Sequence, residues 1–362
     1  MRREMIVEDV RIADDTDCFV IAEIGNNHQG DLEKCKELFK AAKEHCGASA
    51  VKLQKRDNRA LFTREMYNSR YNSENAFAET YGAHRDFLEF GRDEFLELQA
   101  YAKELGIVFF ATAFDRPSAD FLVEMDMPAY KMASGDLTNI PLLKYVAEIG
   151  KPMFISTGGG TMEEVRRAYE TIMPINSQLC IMQCTAGYPP EWNQLDISVI
   201  STYREAFPDI VVGFSSHDSG IAMGPVAYTL GARAIEKHFT LNRAMKGTDH
   251  AFSLEPPGLR RLVRDLQRVR LALGTGEKRR YESEVGPIRK MSKKLVAARD
   301  LPAGTILTEA DIEAKSPGDG LKPYMRDSMI GRRLIKDIRM DDNLRVEDTI
   351  PATGEVAEQA SA

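Results

Sequence analysis

Eight short apolar segments, each ending in a polar or charged residue, recur through the first two-thirds of this 362-residue chain. They cover residues 18–23, 48–54, 107–112, 129–134, 152–157, 179–184, 210–215 and 232–238. Each segment is short enough for a strand buried on both faces, and most intervals between them carry helical apolar spacing. Alternating strands and helices predict an α/β fold with a parallel sheet, and eight such units predict a (β/α)₈, or TIM, barrel.

Length and charge limit the class of protein. A chain of 362 residues exceeds the roughly 250 residues of one barrel, so we expect a second, smaller domain. The formal net charge of −7 disfavours nucleic-acid or membrane-surface partners, which would require a basic face. No apolar segment approaches the roughly 20 residues that cross a bilayer, and the N-terminus lacks a signal-peptide pattern. The sequence therefore predicts a cytoplasmic protein.

Composition shifts predict the domain boundaries. We expect a barrel over residues 1–274, with a short hairpin within residues 1–17 that closes its bottom. The polar segment 275–291, which contains Gly and Pro, has the composition of a linker. Residues 292–350 read as a small β-rich module, and residues 351–362 as a disordered tail. A module of about 60 residues buries little core, so we expect it to dock onto something larger.

The intervals between the predicted strands also carry signals. Apolar residues spaced by three and four predict helices over 31–46, 92–105 and 255–273. An unusually long insertion, residues 55–90, separates the second and third strands, and long loops after barrel strands are usually active-site loops. The five cysteines lie inside predicted strands or helices without metal-ligand spacing, so we interpret them as reduced core thiols.

Cationic and hydroxyl side chains gather at the carboxyl ends of the predicted strands, where a barrel places its active site. They are Lys52, Lys131, Ser134, Ser156 and Ser215. Two ammonium groups and three hydroxyls at one barrel mouth would bind a phosphate or a carboxylate through hydrogen bonds. Each residue alone is compatible with a solvated strand end, but together they predict an anion site.

Two of the six histidines, His217 and His238, end the last two predicted strands. Adjacent strand ends bring two imidazoles close enough to share a divalent cation, with positions left for water and substrate. A lone histidine at a strand end is more often structural, but the pair favours metal ligation. Mn²⁺ or Mg²⁺ is predicted if substrate oxygens complete the coordination.

Three further residues are candidates for contacts with a substrate. Glu23 ends the first predicted strand, where it would exchange protons with a substrate hydroxyl or water. The alternative is that Glu23 forms an ion pair with a lysine of a neighbouring strand. Asp249 and Tyr188, in loops near the same mouth, are placed to hydrogen-bond a polyol. The glycine run 158–160 lacks P-loop spacing, so we interpret it as a tight turn that lets Ser156 and Thr157 face the site.

Eight stretches of the barrel sequence form a jointly specific set of motifs: AEIGNNHQGD, VKLQK, TYGAHRDFLEF, YKMASGD, ISTGGG, QCTAGYP, GFSSHDSG and EKHFTLNRAMKGTDH. Through these motifs the chain resembles the phosphoenolpyruvate-dependent sialic acid synthase (N-acetylneuraminate synthase) family over roughly residues 18–350. The C-terminal stretch VAARDLPAGTILTEADIEAKSPGDG resembles the antifreeze-like (SAF, β-clip) domain of the same family. The resemblance therefore implies a synthase barrel followed by an SAF domain.

The resemblance also implies residue roles. The positions that match the family's phosphoenolpyruvate-binding residues are Lys52, Lys131, Ser134, Ser156 and Ser215. Those that match its metal ligands are His217 and His238. Those that match the residues holding or protonating the amino-sugar aldehyde are Glu23, Gln54, Tyr188 and Asp249.

The implied reaction is that of a transferase. Carbon 3 of phosphoenolpyruvate attacks the aldehyde of open-chain N-acetylmannosamine, which the metal polarises. Water then adds to the oxocarbenium carbon, and phosphate leaves by C–O cleavage to give N-acetylneuraminate. The resemblance and the small C-terminal module together predict a domain-swapped homodimer in which each module caps the partner's barrel.

The chain departs from the family pattern at two positions. Bacterial members carry a Lys-Arg-Pro-Gly run whose arginine enters the partner's site, and Ser316 stands in that arginine's place here. A serine has no charged fork, so we expect the module to contribute shape and positive charge from Lys315 or Lys322 instead. Ala186 replaces an asparagine that some members carry.

Alternatives to N-acetylmannosamine as acceptor are its 6-phosphate and a diamino sugar leading to legionaminate or pseudaminate. The TYGAHRDFLEF and KGTDH stretches resemble the animal-type enzymes that use the 6-phosphate. Candidates to meet that phosphate are Arg56, Arg59, Arg64 and Arg70. An SAF-mediated carbohydrate-binding protein is a weaker alternative, because it would have no need for the lysines, histidines and Glu23 together. A metal-dependent hydrolase is weaker still, because the first strand end lacks paired histidines.

Overall fold

The fold begins with a β-hairpin. The computed structural model describes residues 3–352, and its first two strands pair antiparallel. They are β1 (Glu4–Val7) and β2 (Val10–Ala13). Met5 and Ile12 are fully buried in one apolar cluster with Phe19 and Val108, which lie at the start of barrel strands. The expected hairpin therefore closes the N-terminal end of the barrel.

Eight parallel strands form a closed barrel, with the last strand pairing with the first. They are β3 (Phe19–Gly25), β4 (Ala50–Lys55), β5 (Val108–Ala113), β6 (Tyr130–Met132), β7 (Met153–Ser156), β8 (Leu179–Cys184), β9 (Val211–Ser216) and β10 (Ala234–His238). The strand bounds agree with the sequence prediction to within about two residues. The (β/α)₈ prediction is confirmed.

Alternate residues of each strand face the inside of the barrel, and their character changes along the strand. In β3, Ile21 belongs to the interior apolar cluster, whereas Glu23 lines a cavity. In β7, Phe154 and Ser156 show the same change. The interior is therefore packed with apolar side chains toward the N-terminal ends of the strands and opens into a polar cavity at their C-terminal ends.

Helices surround the barrel and cover the outer faces of the strands. They are α1 (Leu32–Lys40), α2 (Asn58–Leu61), α3 (Arg64–Asn68), α4 (Tyr81–Leu88), α5 (Arg92–Leu105), α6 (Arg116–Glu124), α7 (Ile140–Glu148), α8 (Met162–Ile172), α9 (Val199–Ala206), α10 (Met223–Thr229) and α11 (Pro256–Leu273). The helix predicted over 31–46 starts after Asp31, whose side chain accepts a hydrogen bond from the Lys34 N–H, and continues beyond α1 as a π-helical turn, Ala41–His45. Three short helices, α2, α3 and α4, lie within the long insertion, residues 55–90.

The chain divides into two compact units after Gly274. The second unit contains α12 (Glu282–Met291), β11 (Lys294–Ala297), β12 (Ile312–Lys315), α13 (Arg326–Met329), β13 (Arg332–Leu334) and β14 (Thr349–Pro351). Its strands form two antiparallel pairs around a small apolar core that includes Leu295 and Leu334. Helix α12 lies within the predicted linker, so that segment is ordered in part. Of the predicted tail, Pro351 belongs to β14 and residues 353–362 lie outside the described residues.

Two further expectations concern the cysteines and the membrane. All five cysteines lie within residues 3–352, and each is buried with a free thiol. Within the same range, no helix combines the length and the apolar character needed to span a bilayer.

Candidate active site

A cavity of about 580 Å³ opens at the C-terminal ends of the barrel strands. It is lined by all eleven site residues predicted from the sequence, which are Glu23, Lys52, Gln54, Lys131, Ser134, Ser156, Tyr188, Ser215, His217, His238 and Asp249. The residues come from most of the barrel strands and from the loops that follow them. Closure of the barrel therefore brings side chains that are far apart in sequence to one site.

Two buried lysines form the cationic side of the cavity. Lys131 and Lys52 are each 2% exposed. The Lys131 Nζ donates to the Ser156 Oγ at 2.6 Å and to the Met132 carbonyl oxygen at 3.0 Å. The Lys52 Nζ donates to the Thr112 Oγ1 at 2.8 Å. Because the barrel fixes both ammonium groups in place, an anion that enters the cavity meets oriented donors.

Glu23 forms the ion pair with a lysine of the neighbouring strand that was the alternative interpretation of its position. Its Oε2 lies 2.5 Å from the Lys52 Nζ, and its Oε1 accepts a hydrogen bond from the Gln54 Nε2 at 2.8 Å. Burial raises the pKa of Glu23 to about 7, although the charge of Lys52 opposes that increase. Glu23 is thus ion-paired and lines the cavity, and a carboxyl group with this pKa would suit proton transfer near neutral pH.

A second buried carboxylate, Glu236, lines the cavity close to Lys52, and the sequence had placed it at a strand end without assigning it a role. Its Oε1 is 3.7 Å from the Lys52 Nζ and accepts a hydrogen bond from the Ser215 Oγ at 3.4 Å. Burial alone would raise the pKa of Glu236, but Lys131 and Lys52 outweigh it and lower the pKa. Glu236 is therefore ionised near neutral pH and balances part of the charge of the lysines.

The two histidines lie side by side, with ring centroids 5.4 Å apart. The His217 Nδ1 donates to the Thr185 carbonyl oxygen at 3.0 Å, which leaves its Nε2 lone pair available to a ligand. The His238 Nδ1 is buried and has no hydrogen-bond partner within residues 3–352. Burial lowers the pKa of both imidazoles, to about 4 for His217, so both are neutral near pH 7.

Neutral, closely spaced imidazoles fit a divalent cation. Over the described range no cluster of three or more His, Cys, Asp and Glu side chains is arranged to hold a metal ion. A cation here would therefore rely on His217 and His238, with oxygen atoms of water or substrate in the other positions. Asp249 lies close by, with its Oδ2 3.8 Å from the His238 Nδ1.

Ser134 and the glycine run shape the side of the cavity next to β7. The Ser134 Oγ accepts a hydrogen bond from the Gly158 N–H at 3.0 Å and donates to the Cys184 Sγ at 3.6 Å. The run was expected to turn both Ser156 and Thr157 toward the site. Only Ser156 lines the cavity, because the Thr157 Oγ1 donates instead to the Met182 carbonyl oxygen at 3.0 Å.

A second cationic region lies on the side of the cavity formed by the insertion. Arg56 and Arg85 line the cavity. Burial raises the pKa of Asp249, but His238 and a hydrogen bond from Thr248 outweigh it, and the charges of Arg85 and Arg56 lower the pKa further. The Arg56 Nη2 donates to the Gln54 Oε1 at 2.5 Å. Arg85 donates to the Tyr81 hydroxyl and forms no ion pair with any residue in the described part of the chain.

The structure corrects the expectation for the insertion arginines. Of the four candidates, only Arg56 lines the cavity. The Arg59 guanidinium lies 3.5 Å from the ring centroid of Tyr67, and Arg64 and Arg70 are exposed outside the cavity. Arg85 was not among the predicted phosphate contacts, although it lies in the TYGAHRDFLEF stretch that resembles the enzymes using the 6-phosphate.

Comparison with known proteins identifies relatives along most of the chain. Residues 38–278 match the family model described as the NeuB family, and residues 294–348 match that of the SAF domain. A Homo sapiens relative named N-acetylneuraminate-9-phosphate synthase is 40% identical over 331 residues, which is 91% of this chain and 92% of the relative. A Legionella pneumophila relative named N,N'-diacetyllegionaminic acid synthase is 35% identical over 324 residues, 88% of this chain and 90% of the relative.

A solved structure agrees with these matches. It is the N-acetylneuraminic acid (sialic acid) synthetase of Leptospira borgpetersenii in complex with citrate, which is 32% identical to this chain. The match covers 80% of this chain and 96% of that chain, with a TM-score of 0.68. Barrel, cavity residues and sequence relatives thus indicate the same class of enzyme.

Proposed function

The chain belongs to the NeuB family of sialic acid synthases, and on this premise we propose that it condenses phosphoenolpyruvate with N-acetylmannosamine 6-phosphate. The products would be N-acetylneuraminate 9-phosphate and inorganic phosphate. The observation that carries the condensation is the convergence of two buried lysines, two buried carboxyl groups and a histidine pair in one cavity. Unphosphorylated N-acetylmannosamine, the first expectation from the sequence, and the diamino sugars remain the alternative acceptors.

In this proposal the lysine side of the cavity holds phosphoenolpyruvate. Lys131, Lys52 and the Ser156 hydroxyl would donate to the phosphate and carboxylate oxygens, and Ser134 and Ser215 would complete the set of donors. Rigid donors on strands hold carbon 3 in one orientation, so the attack on the aldehyde carbon has little entropic cost. The acceptor would lie toward Gln54, Tyr188 and Asp249, on the other side of the histidines.

Glu23 is suited to move the protons of the reaction. Carbon 3 of phosphoenolpyruvate forms a bond to the aldehyde carbon, and the protonated Glu23 carboxyl gives its proton to the aldehyde oxygen. The resulting carboxylate takes a proton from water as the water oxygen adds to the oxocarbenium carbon. The C–O bond to phosphate then breaks, the new carbonyl forms, and the hydroxyl proton leaves with the phosphate. A pKa of about 7 allows both transfers.

His217 and His238 would hold the divalent cation, Mn²⁺ or Mg²⁺. When bound, such a cation acts as a Lewis acid that polarises a carbonyl oxygen. The Thr185 carbonyl oxygen accepts from the His217 Nδ1 and so fixes the orientation of that ring, with its Nε2 available to the cation.

The 6-phosphate acceptor is favoured by Arg56 and Arg85. They add positive charge to the cavity beyond that of Lys52 and Lys131. Arg56 also pairs with Glu89 at 3.6 Å, whereas Arg85 forms no ion pair within the described residues, so the cavity offers sites for two anionic groups. Phosphoenolpyruvate occupies one of them, and a phosphorylated sugar would occupy the other. The 40% identity with N-acetylneuraminate-9-phosphate synthase supports the same acceptor.

Replacing Arg85 by glutamine should lower kcat/KM for N-acetylmannosamine 6-phosphate about tenfold to a hundredfold. The reason is the loss of a charged hydrogen bond to phosphate, which contributes about 1.5–3 kcal/mol. The kcat/KM for unphosphorylated N-acetylmannosamine and the KM for phosphoenolpyruvate should change little. Steady-state assays of phosphate release with each sugar measure both values.

The matched control for this prediction is Arg64→Gln, which removes the same charge from an exposed position of the same insertion. It should behave as the wild type. Equal losses with the phosphorylated and unphosphorylated sugars in Arg85→Gln would contradict the assignment. If the wild type preferred a diamino sugar, that sugar would be the acceptor in place of N-acetylmannosamine 6-phosphate.

The homodimer expected from the sequence stays a prediction. Sedimentation should give the mass of two chains, and truncation after Gly274 should leave a folded barrel with severely reduced turnover. Circular dichroism would verify folding, and assays with saturating substrates would measure turnover. A truncated monomer with normal turnover and acceptor affinity would show that the second unit is not required for catalysis.

A further inference from the structure

One segment of the insertion, which follows β4, contacts a cavity-lining loop that follows β10, the last strand of the barrel. We call residues 69–80, between α3 and α4, the insertion arm, and residues 246–250, after β10, the KGTDH loop. The loop contributes Thr248 and Asp249 to the cavity. The arm does not line the cavity, so any role in the reaction must act through another residue.

Asn75 makes the polar contact between the two segments. Its Oδ1 accepts a hydrogen bond from the Gly247 N–H at 2.9 Å, across a partly buried interface. The Lys246 Nζ lies 4.9 Å from the ring centroid of Phe77, which is a second contact from the same arm. Both contacts act on the loop two or three residues before Asp249.

The loop backbone at Gly247 depends on external support. Gly247 has a φ of +150°, and a Cβ there would approach the His250 Cδ2 to 2.7 Å, so only glycine fits. Glycine leaves the backbone free to adopt other conformations, so the observed one must be stabilised by contacts. The Asn75 Oδ1 and the Gln29 Nε2, which donates to the Lys246 carbonyl oxygen at 2.5 Å, provide them.

The arm is itself held against the helix that carries Arg85. The Phe77 N–H donates to the Nδ1 of His84, in α4, at 3.1 Å. The Phe77 ring stacks on Phe87, also in α4, with centroids 5.1 Å apart. The arm therefore connects α4, with Arg85, to the KGTDH loop, with Asp249.

We propose that Asn75 is a positioning residue for the acceptor sugar, because it holds the KGTDH loop through the Gly247 N–H and so fixes Asp249 relative to Arg85. The inference rests on the proposed function, which places the acceptor sugar toward Asp249 and its phosphate near Arg85. It does not involve the phosphoenolpyruvate side of the cavity, where Lys52 and Lys131 are held by strands.

The test compares Asn75→Ala with Asn75→Asp in the full-length protein. The alanine variant should raise the acceptor KM about fivefold to tenfold, the factor given by loss of one ordinary hydrogen bond. Its KM for phosphoenolpyruvate should stay at the wild-type value. Hydrogen exchange of the peptide covering residues 244–250 should become faster. The aspartate variant keeps an oxygen that accepts from the Gly247 N–H, so it should restore both the acceptor KM and slow exchange.

Asn72→Ala serves as the control, because Asn72 is an exposed asparagine of the same arm and lines no part of the active-site cavity. A wild-type acceptor KM in Asn75→Ala, or equal increases in the KM of both substrates, would overturn the proposal. Faster exchange with an unchanged KM would also overturn it, because the loop would then be held without positioning the acceptor. If the wild type condenses no amino sugar, the proposed function fails. Separately, unchanged hydrogen exchange of residues 244–250 in Asn75→Ala would refute the role of the hydrogen bond between Asn75 and the Gly247 N–H.

Discussion

Replacing Lys131 by methionine should reduce phosphoenolpyruvate affinity by a factor of roughly 30 to 5,000. Truncating one partner of a buried, hydrogen-bonded charge pair costs about 2–5 kcal/mol, which corresponds to that range. Lys131 also helps to keep Glu236 ionised, so the variant leaves that carboxylate with less compensation in the same buried site. Titration calorimetry with phosphoenolpyruvate measures the affinity, and a thermal melt verifies that the barrel is folded.

Lys52→Met should show a loss of the same kind, because Lys52 provides the other ammonium group. The control is Lys151→Met, which removes a partly exposed lysine that pairs with Asp126 at 3.1 Å, outside the cavity. It should leave phosphoenolpyruvate affinity unchanged. Wild-type affinity in folded Lys131→Met and Lys52→Met proteins would show that the anion site lies elsewhere.

Replacing both His217 and His238 by alanine should abolish metal binding and turnover together. A chelator should inactivate the wild type, and Mn²⁺ or Mg²⁺ should restore its activity, whereas the double variant should not respond. The physical reason is that the two imidazoles are the nitrogen ligands of the predicted site, and the remaining oxygen donors bind divalent cations more weakly. Elemental analysis of the purified protein and its Mn²⁺ resonance spectrum give readouts that do not depend on turnover.

His45→Ala is the matched control, because His45 is exposed and outside the cavity. It should keep both metal content and turnover. Full activity of the double variant in metal-free buffer would refute the role of the metal. Metal content equal to the wild type in the double variant would instead place the cation at other residues.

Much of the site was predictable because of the geometry of strands. A strand that is buried on both faces alternates its side chains, so a polar residue such as Lys131 or Ser156 at its end has to face either the helices or the barrel interior. In a closed barrel the C-terminal strand ends meet at one mouth, so residues far apart in sequence were expected to converge. The predicted site residues on the strands, such as Lys52 and Lys131, line the cavity for this reason, whereas Tyr188 and Asp249 reach it from the loops that follow the strands.

The insertion arginines were not predictable in the same way. Arg56 and Arg64 are separated by only a few residues, yet Arg56 lines the cavity and Arg64 is exposed. Short helices and irregular segments have no fixed period that assigns a side chain to one face, so position depends on packing. Arg85 lines the cavity because α4 packs through buried residues such as His84 and Leu88.

Sequence alone determined the barrel, the strand ends and the identities of the groups at the mouth, because the periodicity of apolar residues specifies which side chains are buried. Tertiary structure alone decided how those groups interact. The ionisation of Glu23 and Glu236 depends on their distances from Lys52 and Lys131 and on burial, which the sequence does not state. The contact of Asn75 with Gly247 likewise joins segments 172 residues apart, and only the folded chain brings them together.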